Sequence, residues 1–206
     1  MIAIIDYGVG NLFSLSHSLQ AVGAEACVTG DAGVIERADH VILPGVGAFG
    51  DAAAKLREAG LDALVRRLAA VGMPIMGICL GMQLLLDKSY EFGEHAGLGL
   101  IPGEVRPIAE VIPPDYKIPH IGWNALEIAR LHPIFRAVRP GDCVYVVHSY
   151  YGARCDDSVI ATADYGAGLT AAVARGNVCG CQFHPEKSGD VGLGILKAFC
   201  EWRGEA

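Results

Sequence analysis

No stretch of this chain is both long enough and apolar enough to cross a bilayer. The hydrophobic runs are short or broken by glycine, and a spanning helix needs about 20 such residues. No basic segment precedes the start Met1-Ile2-Ala3-Ile4-Ile5 and no lipidation signal closes the C-terminus, so a cytoplasmic protein without a membrane partner is expected. A basic stripe is also lacking. With a net charge of -7 and no clustered Lys and Arg, the chain offers nothing for a phosphate backbone, which excludes nucleic acid as the main partner. The seven cysteines are an odd number and no secretion signal accompanies them, so reduced thiols are expected rather than a disulfide framework. Repeats, low-complexity tracts and long linkers are missing too. What remains is 206 residues with 52% hydrophobic content, enough for one well-buried domain over 1–206.

Metal and cofactor signals are equally thin. Cys179-x-Cys181 puts two thiols on one face of a strand, but a structural zinc site needs a second ligand pair at suitable spacing, so no metal is expected. Cys27, Cys143, Cys155 and Cys200 have no neighbours that suggest chemistry. Gly45-x-Gly47-x-x-Gly50 formally matches a dinucleotide fingerprint. It is not on the first βα unit, however, it follows Pro44, and no acidic residue stands at the expected strand end downstream. The turn Gly8-x-Gly10 fails as well, because its third glycine would be Phe13. No cofactor is expected.

The hydrophobic pattern is that of strands alternating with helices. Short buried strands fit residues 2–6, 25–29 and 40–43, with a helix from near Asn11 through Leu12, Leu15 and Leu19 and another helical pattern over 51–70. This spacing predicts an α/β fold: an open, mostly parallel sheet with helices on both faces. From Gly97 to Trp123 the prolines 102, 107, 113, 114 and 119 predict an antiparallel ribbon or edge strands instead. Later strands fit 143–148, 159–162, 171–173 and 178–183, and a helix over 189–202 closes the chain.

One segment carries chemistry. Pro74-Ile75-Met76-Gly77-Ile78-Cys79-Leu80-Gly81-Met82-Gln83 runs from an apolar strand through Gly-x-Cys-x-Gly into a helix-prone stretch. That is a nucleophile elbow with cysteine in place of serine, where small neighbours permit a tight strand-to-helix turn. It puts Cys79 at a helix N-terminus, which favours the reactive thiolate. In such elbows the N–H of the next residue, here Leu80, donates to an oxyanion, and a neighbouring strand-end loop, here Val46 and Gly47, supplies the second donor. A base is also needed. Gln182-Phe183-His184-Pro185-Glu186 follows a strand and sets a carboxylate two residues beyond the imidazole, where it can fix the ring tautomer and support the imidazolium.

Together these pieces resemble the class I, triad-type glutamine amidotransferases, and among them the glutaminase subunits of imidazole glycerol phosphate synthase in histidine biosynthesis. The resemblance covers nearly the whole chain. It rests on Asp6-Tyr7-Gly8-Val9-Gly10-Asn11, Pro44-Gly45-Val46-Gly47-Ala48-Phe49, the Cys79 and His184 motifs, Gly97-Leu98-Gly99-Leu100-Ile101-Pro102-Gly103, Pro119-His120-Ile121-Gly122-Trp123-Asn124 and Val147-His148-Ser149-Tyr150. It implies a flavodoxin-like sheet and hydrolysis of glutamine to glutamate and ammonia, with the ammonia passed to a cyclase subunit in a heterodimer. It further implies a catalytic triad of Cys79, His184 and Glu186. Gln83 and Glu91 would hold the α-amino and carboxylate end of glutamine, and His148, Ser149 and Tyr150 would line the same pocket. Asn11, Trp123 and Lys187 would face the cyclase.

An elbow cysteine with a histidine also occurs in cysteine peptidases and related thiol hydrolases on similar sheets. Met82-Gln83 and the His184-x-Glu186 pair favour amidotransfer. A binding subunit without catalysis, or the glutaminase subunit of another pathway such as anthranilate synthesis, stays open on the residues alone.

Overall fold

The computed structural model describes residues 1–204. The first half alternates strand and helix: β1 (Ile2–Ile5), α1 (Leu12–Ala21), β2 (Ala26–Thr29), α2 (Ala32–Ile35), β3 (His40–Leu43), α3 (Phe49–Glu58), α4 (Leu61–Ala70), β4 (Ile75–Ile78) and α5 (Leu80–Leu84). Then come the short strands β5 (Lys88–Ser89), β6 (His95–Ala96), β7 (Glu104–Pro107), β8 (His120–Ala125), β9 (Glu127–Ile128), β10 (Cys143–His148) and β11 (Tyr150–Ala153). The chain finishes with β12 (Val159–Asp164), β13 (Gly168–Arg175), β14 (Val178–Cys181) and α6 (Gly189–Glu201).

The main sheet has eight strands in the order β2-β1-β3-β4-β14-β13-β12-β9. From β2 to β14 all pairs are parallel, and from β14 to β9 all are antiparallel. The parallel strands β1, β3 and β4 are buried along their whole length, as strands covered on both faces must be. Alternation divides them between two cores. Ala3, Ile5, Val41, Leu43 and Ile75 pack with α3 and α4, while Ile2, Ile4, Ile42, Met76 and Ile78 pack with α1 and α6. The expected mostly parallel α/β sheet with helices on both faces is the observed one. Two smaller sheets lie beside it: the antiparallel pair β10-β8, and β11-β7-β5-β6, whose β5-β7 pair is parallel. Among the described residues no helix is long and apolar enough to cross a membrane.

Two expectations need correction. The helical pattern over 51–70 is two helices, because Gly60 adopts the left-handed conformation (φ 68) and so ends one helix and starts the next. The strand expected to run to Phe183 stops at Cys181, because the chain leaves the sheet there and the His184 N–H donates to the Tyr145 carbonyl of β10 (3.0 Å). The helix after Cys79 spans only five residues. It ends early because the carbonyls of Leu84, Leu85 and Leu86 accept N–H groups from Leu98, Gly99, Leu100 and Ile101, which replaces a continued helical ladder.

Candidate active site

β3, β4 and β14 are adjacent parallel strands, and their carboxyl ends deliver Pro44–Gly47, Cys79 and His184 to one place. Cys79 joins β4 to α5 with φ 54 and ψ -113, a conformation that non-glycine residues rarely adopt and that costs on the order of 1–3 kcal/mol. The surrounding ladder holds it there. Its N–H donates to the Cys181 carbonyl (2.7 Å) and its carbonyl accepts from the Gln83 N–H (3.2 Å). Glycine is required in the turn and in the loop that packs against it. A Cβ on Gly81 would lie 1.8 Å from the Leu43 carbonyl oxygen, and one on Gly45 would lie 2.7 Å from the Gly81 nitrogen. These contacts seat the Val46-Gly47 loop against Leu80, and they give Gly45 a role other than nucleotide binding. Gly50, the last glycine of that fingerprint, lies in α3 against the His95 ring.

His184 lines the same cavity as Cys79, and its Nδ1 lies 2.9 Å from Glu186 Oε1. That contact occupies Nδ1, so Nε2 is the nitrogen available to the thiol. Both side chains of the His184–Glu186 pair are almost wholly buried. Burial by itself would push the imidazole pKa down. The neighbouring Cys79 and Glu186 outweigh it and raise the pKa to about 9. The backbone carrying the pair is fixed by Ser188, whose Oγ donates to the His184 carbonyl (2.7 Å) and accepts from the Tyr145 N–H (2.9 Å).

A cavity of about 510 Å³ opens over this group. It is lined by Cys79, Leu80, Val46, Gly47 and His184, together with Gln83, Glu91, His148, Ser149 and Tyr150. Every residue expected to contact an oxyanion or a substrate therefore reaches one space, with Glu186 behind His184. Glu91 accepts the Phe49 N–H on Oε2 (2.6 Å), and burial raises its carboxyl pKa despite that bond. Gln83 donates from Nε2 to the Tyr150 carbonyl (3.2 Å) and to Gln182 Oε1 (2.9 Å). His148 is held near a pKa of about 4 by burial, so it is neutral where His184 is charged.

Sequence reasoning assigned no role to four residues here. Tyr7 donates its hydroxyl to the Pro44 carbonyl (2.8 Å) and so braces the glycine loop from below. Gln182 links Gln83 to Cys79, with Nε2 at 3.7 Å from Sγ. Phe92 and Pro119 line the cavity, and Phe92 is highly exposed with φ 53. Tyr7, Gln182 and Pro119 stand inside the quoted motifs, so a signal existed for them. Phe92 had only its adjacency to Glu91.

Two of the residues expected at a partner surface, Trp123 and Lys187, meet at Tyr145, whose carbonyl accepts the His184 N–H. Trp123 is 59% exposed, and its ring lies edge-on to Tyr145 at 6.1 Å. The Lys187 ammonium sits 5.7 Å above the same Tyr145 ring. Asn11 precedes α1, which packs against the turn Pro185–Lys187, and it caps that helix without a side-chain hydrogen bond.

Residues 3–201 match the family model for class-I glutamine amidotransferases. The chain is 49% identical over 199 residues to the imidazole glycerol phosphate synthase subunit HisH of Bacillus cereus, covering 97% of this chain and 93% of that one. It is 47% identical to the HisH subunit of Listeria monocytogenes, covering 98% and 95%. Among solved structures, PurLQS from Thermotoga maritima superposes with a TM-score of 0.76 at 22% identity over 97% of each chain, a likeness of fold. The chain belongs to the class-I glutamine amidotransferase family and, within it, to the HisH subunits of imidazole glycerol phosphate synthase.

Proposed function

We infer that this chain, acting as one amidotransferase domain, is the glutaminase of an imidazole glycerol phosphate synthase. It hydrolyses glutamine to glutamate and ammonia and hands the ammonia to a cyclase subunit, which uses it to form imidazole glycerol phosphate and aminoimidazole carboxamide ribonucleotide. A cytoplasmic location accords with such a biosynthetic role. The reading rests on family membership and, above all, on one observation: Cys79 at a strained elbow shares one cavity with a buried His184 that is itself backed by Glu186.

The chemistry follows from that order. The Cys79 thiolate attacks the side-chain amide carbon of glutamine, forming a C–S bond and moving the carbonyl electron pair onto oxygen. The N–H of Leu80 and the Val46-Gly47 loop stabilise this oxyanion, and loss of one such donor costs about 10²–10³ in rate. His184, with its pKa raised to about 9, carries a proton at neutral pH and gives it to the leaving nitrogen. The C–N bond breaks and ammonia departs. Neutral His184 then takes a proton from water, whose oxygen attacks the thioester, and collapse of the second tetrahedral species releases glutamate and restores the pair. Glu186 keeps the ring oriented and compensates its charge. Gln83 and Glu91 hold the amino-acid end of the substrate, with His148, Ser149 and Tyr150 as the wall of the pocket. Asn11, Trp123 and Lys187 meet the cyclase.

The test is glutamate formation from glutamine by the purified chain, alone and with a separately purified cyclase subunit carrying its nucleotide ligand. A large rise on adding the cyclase supports both the reaction and the pathway. Activity indifferent to the cyclase reassigns the partner. Cys79→Ala should abolish ammonia release while preserving the fold and cyclase binding, and an active Cys79→Ala protein refutes the mechanism.

A further inference from the structure

Starting from His148 in the wall of the cavity, two buried histidines form a chain of hydrogen bonds whose direction is fully determined. His148 Nδ1 lies 2.8 Å from the Tyr150 carbonyl, which can only accept, so Nδ1 carries the hydrogen. Burial holds His148 to a pKa of about 4, leaving Nε2 bare at neutral pH. His120 Nδ1 lies 3.2 Å from that Nε2 and must therefore be the donor. Burial lowers the pKa of His120 as well, so its own Nε2 is an acceptor, and Asn124 Nδ2 stands 3.3 Å away to supply it. The second hydrogen of the Asn124 amide goes to the Asp164 carbonyl (2.7 Å). The His120 ring is stacked on Tyr165 at 3.9 Å, which fixes its plane.

The far end of the chain is Gln83. Its amide donates to the same Tyr150 carbonyl and to Gln182 Oε1, which uses both hydrogens of the NH₂ group. Gln83 can then offer a ligand only its Oε1, an acceptor suited to an ammonium group. Without the Tyr150 carbonyl in place, rotation of the amide would turn a donor toward that ammonium.

We propose that His120 is a positioning residue for glutamine binding: it donates to His148, which holds the Tyr150 carbonyl, which in turn orients the Gln83 amide to accept from the α-ammonium of the substrate. His120 touches no substrate itself. The proposal rests on the glutaminase reading given above.

The experiment combines steady-state glutamine hydrolysis by the complex with the cyclase and ¹⁵N NMR of the histidine rings. In the wild type, His120 and His148 are expected as Nδ1–H tautomers, the opposite of the form free imidazole side chains prefer. His120→Leu is expected to raise KM for glutamine about tenfold with kcat changed by about twofold at most. His120→Asn, whose amide nitrogen falls where Nδ1 was, is expected to recover most of that loss. An Nε2–H tautomer at His148, an unchanged KM in His120→Leu, or equal losses in the Leu and Asn variants would each overturn the proposal. A wild-type complex that hydrolyses no glutamine would instead remove the functional reading beneath it.

Discussion

Gly77 and Gly180 are register partners on the adjacent parallel strands β4 and β14, and α5 lies across both. A Cβ on Gly77 would sit 2.6 Å from the Gly81 carbonyl oxygen, whereas one on Gly180 would meet the Met82 side chain, also at 2.6 Å. Backbone gives way less easily than a side chain. Gly77→Ala is therefore expected to lower stability by about 1–3 kcal/mol and to disturb the Cys79 turn, with a smaller loss for Gly180→Ala. Gly168→Ala is the control, since nothing stands near its Cβ position. Thermal unfolding and glutamine hydrolysis on the three variants test the order, and equal behaviour of Gly77→Ala and Gly168→Ala would contradict it.

Glu186 and Cys79 together keep the His184 pKa at about 9, above its ordinary value of 6.5, against the downward pull of burial. Replacing Glu186 by Gln should lower kcat/KM by about 10²-fold or more and move the alkaline limb of its pH profile to lower pH. The stability arising from protonated His184 is fully present below about 6.5 and is lost as the pH rises through about 9. The stability gap between wild type and Glu186→Gln should accordingly be wide at pH 6.5 and close by about pH 9 in urea titrations. A constant gap across that window would count against the coupling.

His132 and His148 shift the other way. Burial depresses each to about 4, so the stability tied to their neutral rings is complete above 6.5 and falls as the pH drops toward 4. The urea midpoint should decline over that window. His132 stands outside the cavity, at the start of the short turn Pro133–Phe135, so His132→Leu should flatten the decline without changing glutamine hydrolysis at neutral pH. An undiminished decline would show that the acid sensitivity arises elsewhere.

Trp123 is 59% exposed and lies edge-on to Tyr145. Truncation to Ala should weaken binding of the cyclase about tenfold or more, as expected for a central aromatic contact. Because the side chain is exposed, the isolated chain should unfold at nearly the same temperature. Titration calorimetry and melting curves separate the two effects, and unchanged affinity would remove Trp123 from the interface.

Much of this site was legible because its parts are local. Gly77-x-Cys79-x-Gly81 describes its own turn, since the close approach that requires glycine involves residues of that turn and of the strand beside it. His184 and Glu186 are two residues apart, with a proline between them limiting the backbone, so their 2.9 Å contact was foreseeable. The runs at 41–43 and 75–78 carry no polar side chain, as expected for buried parallel strands. Gly60 misled the reading of α3 and α4, because helical periodicity in 51–70 continues on both sides of a residue whose backbone breaks it.

The amino-acid sequence determined by itself the elbow, the acid–base pair and the alternation of strands and helices, since each depends on residues within a few positions of one another. Only the tertiary structure decided which distant groups meet. The motif around Tyr7 marks the residue but does not say that its hydroxyl will brace Pro44, and nothing near His120 announces a bond to His148. Those contacts exist because sheet order and strand pairing bring together residues 28 to 37 positions apart, and pairing partners are chosen by the packing of the whole chain.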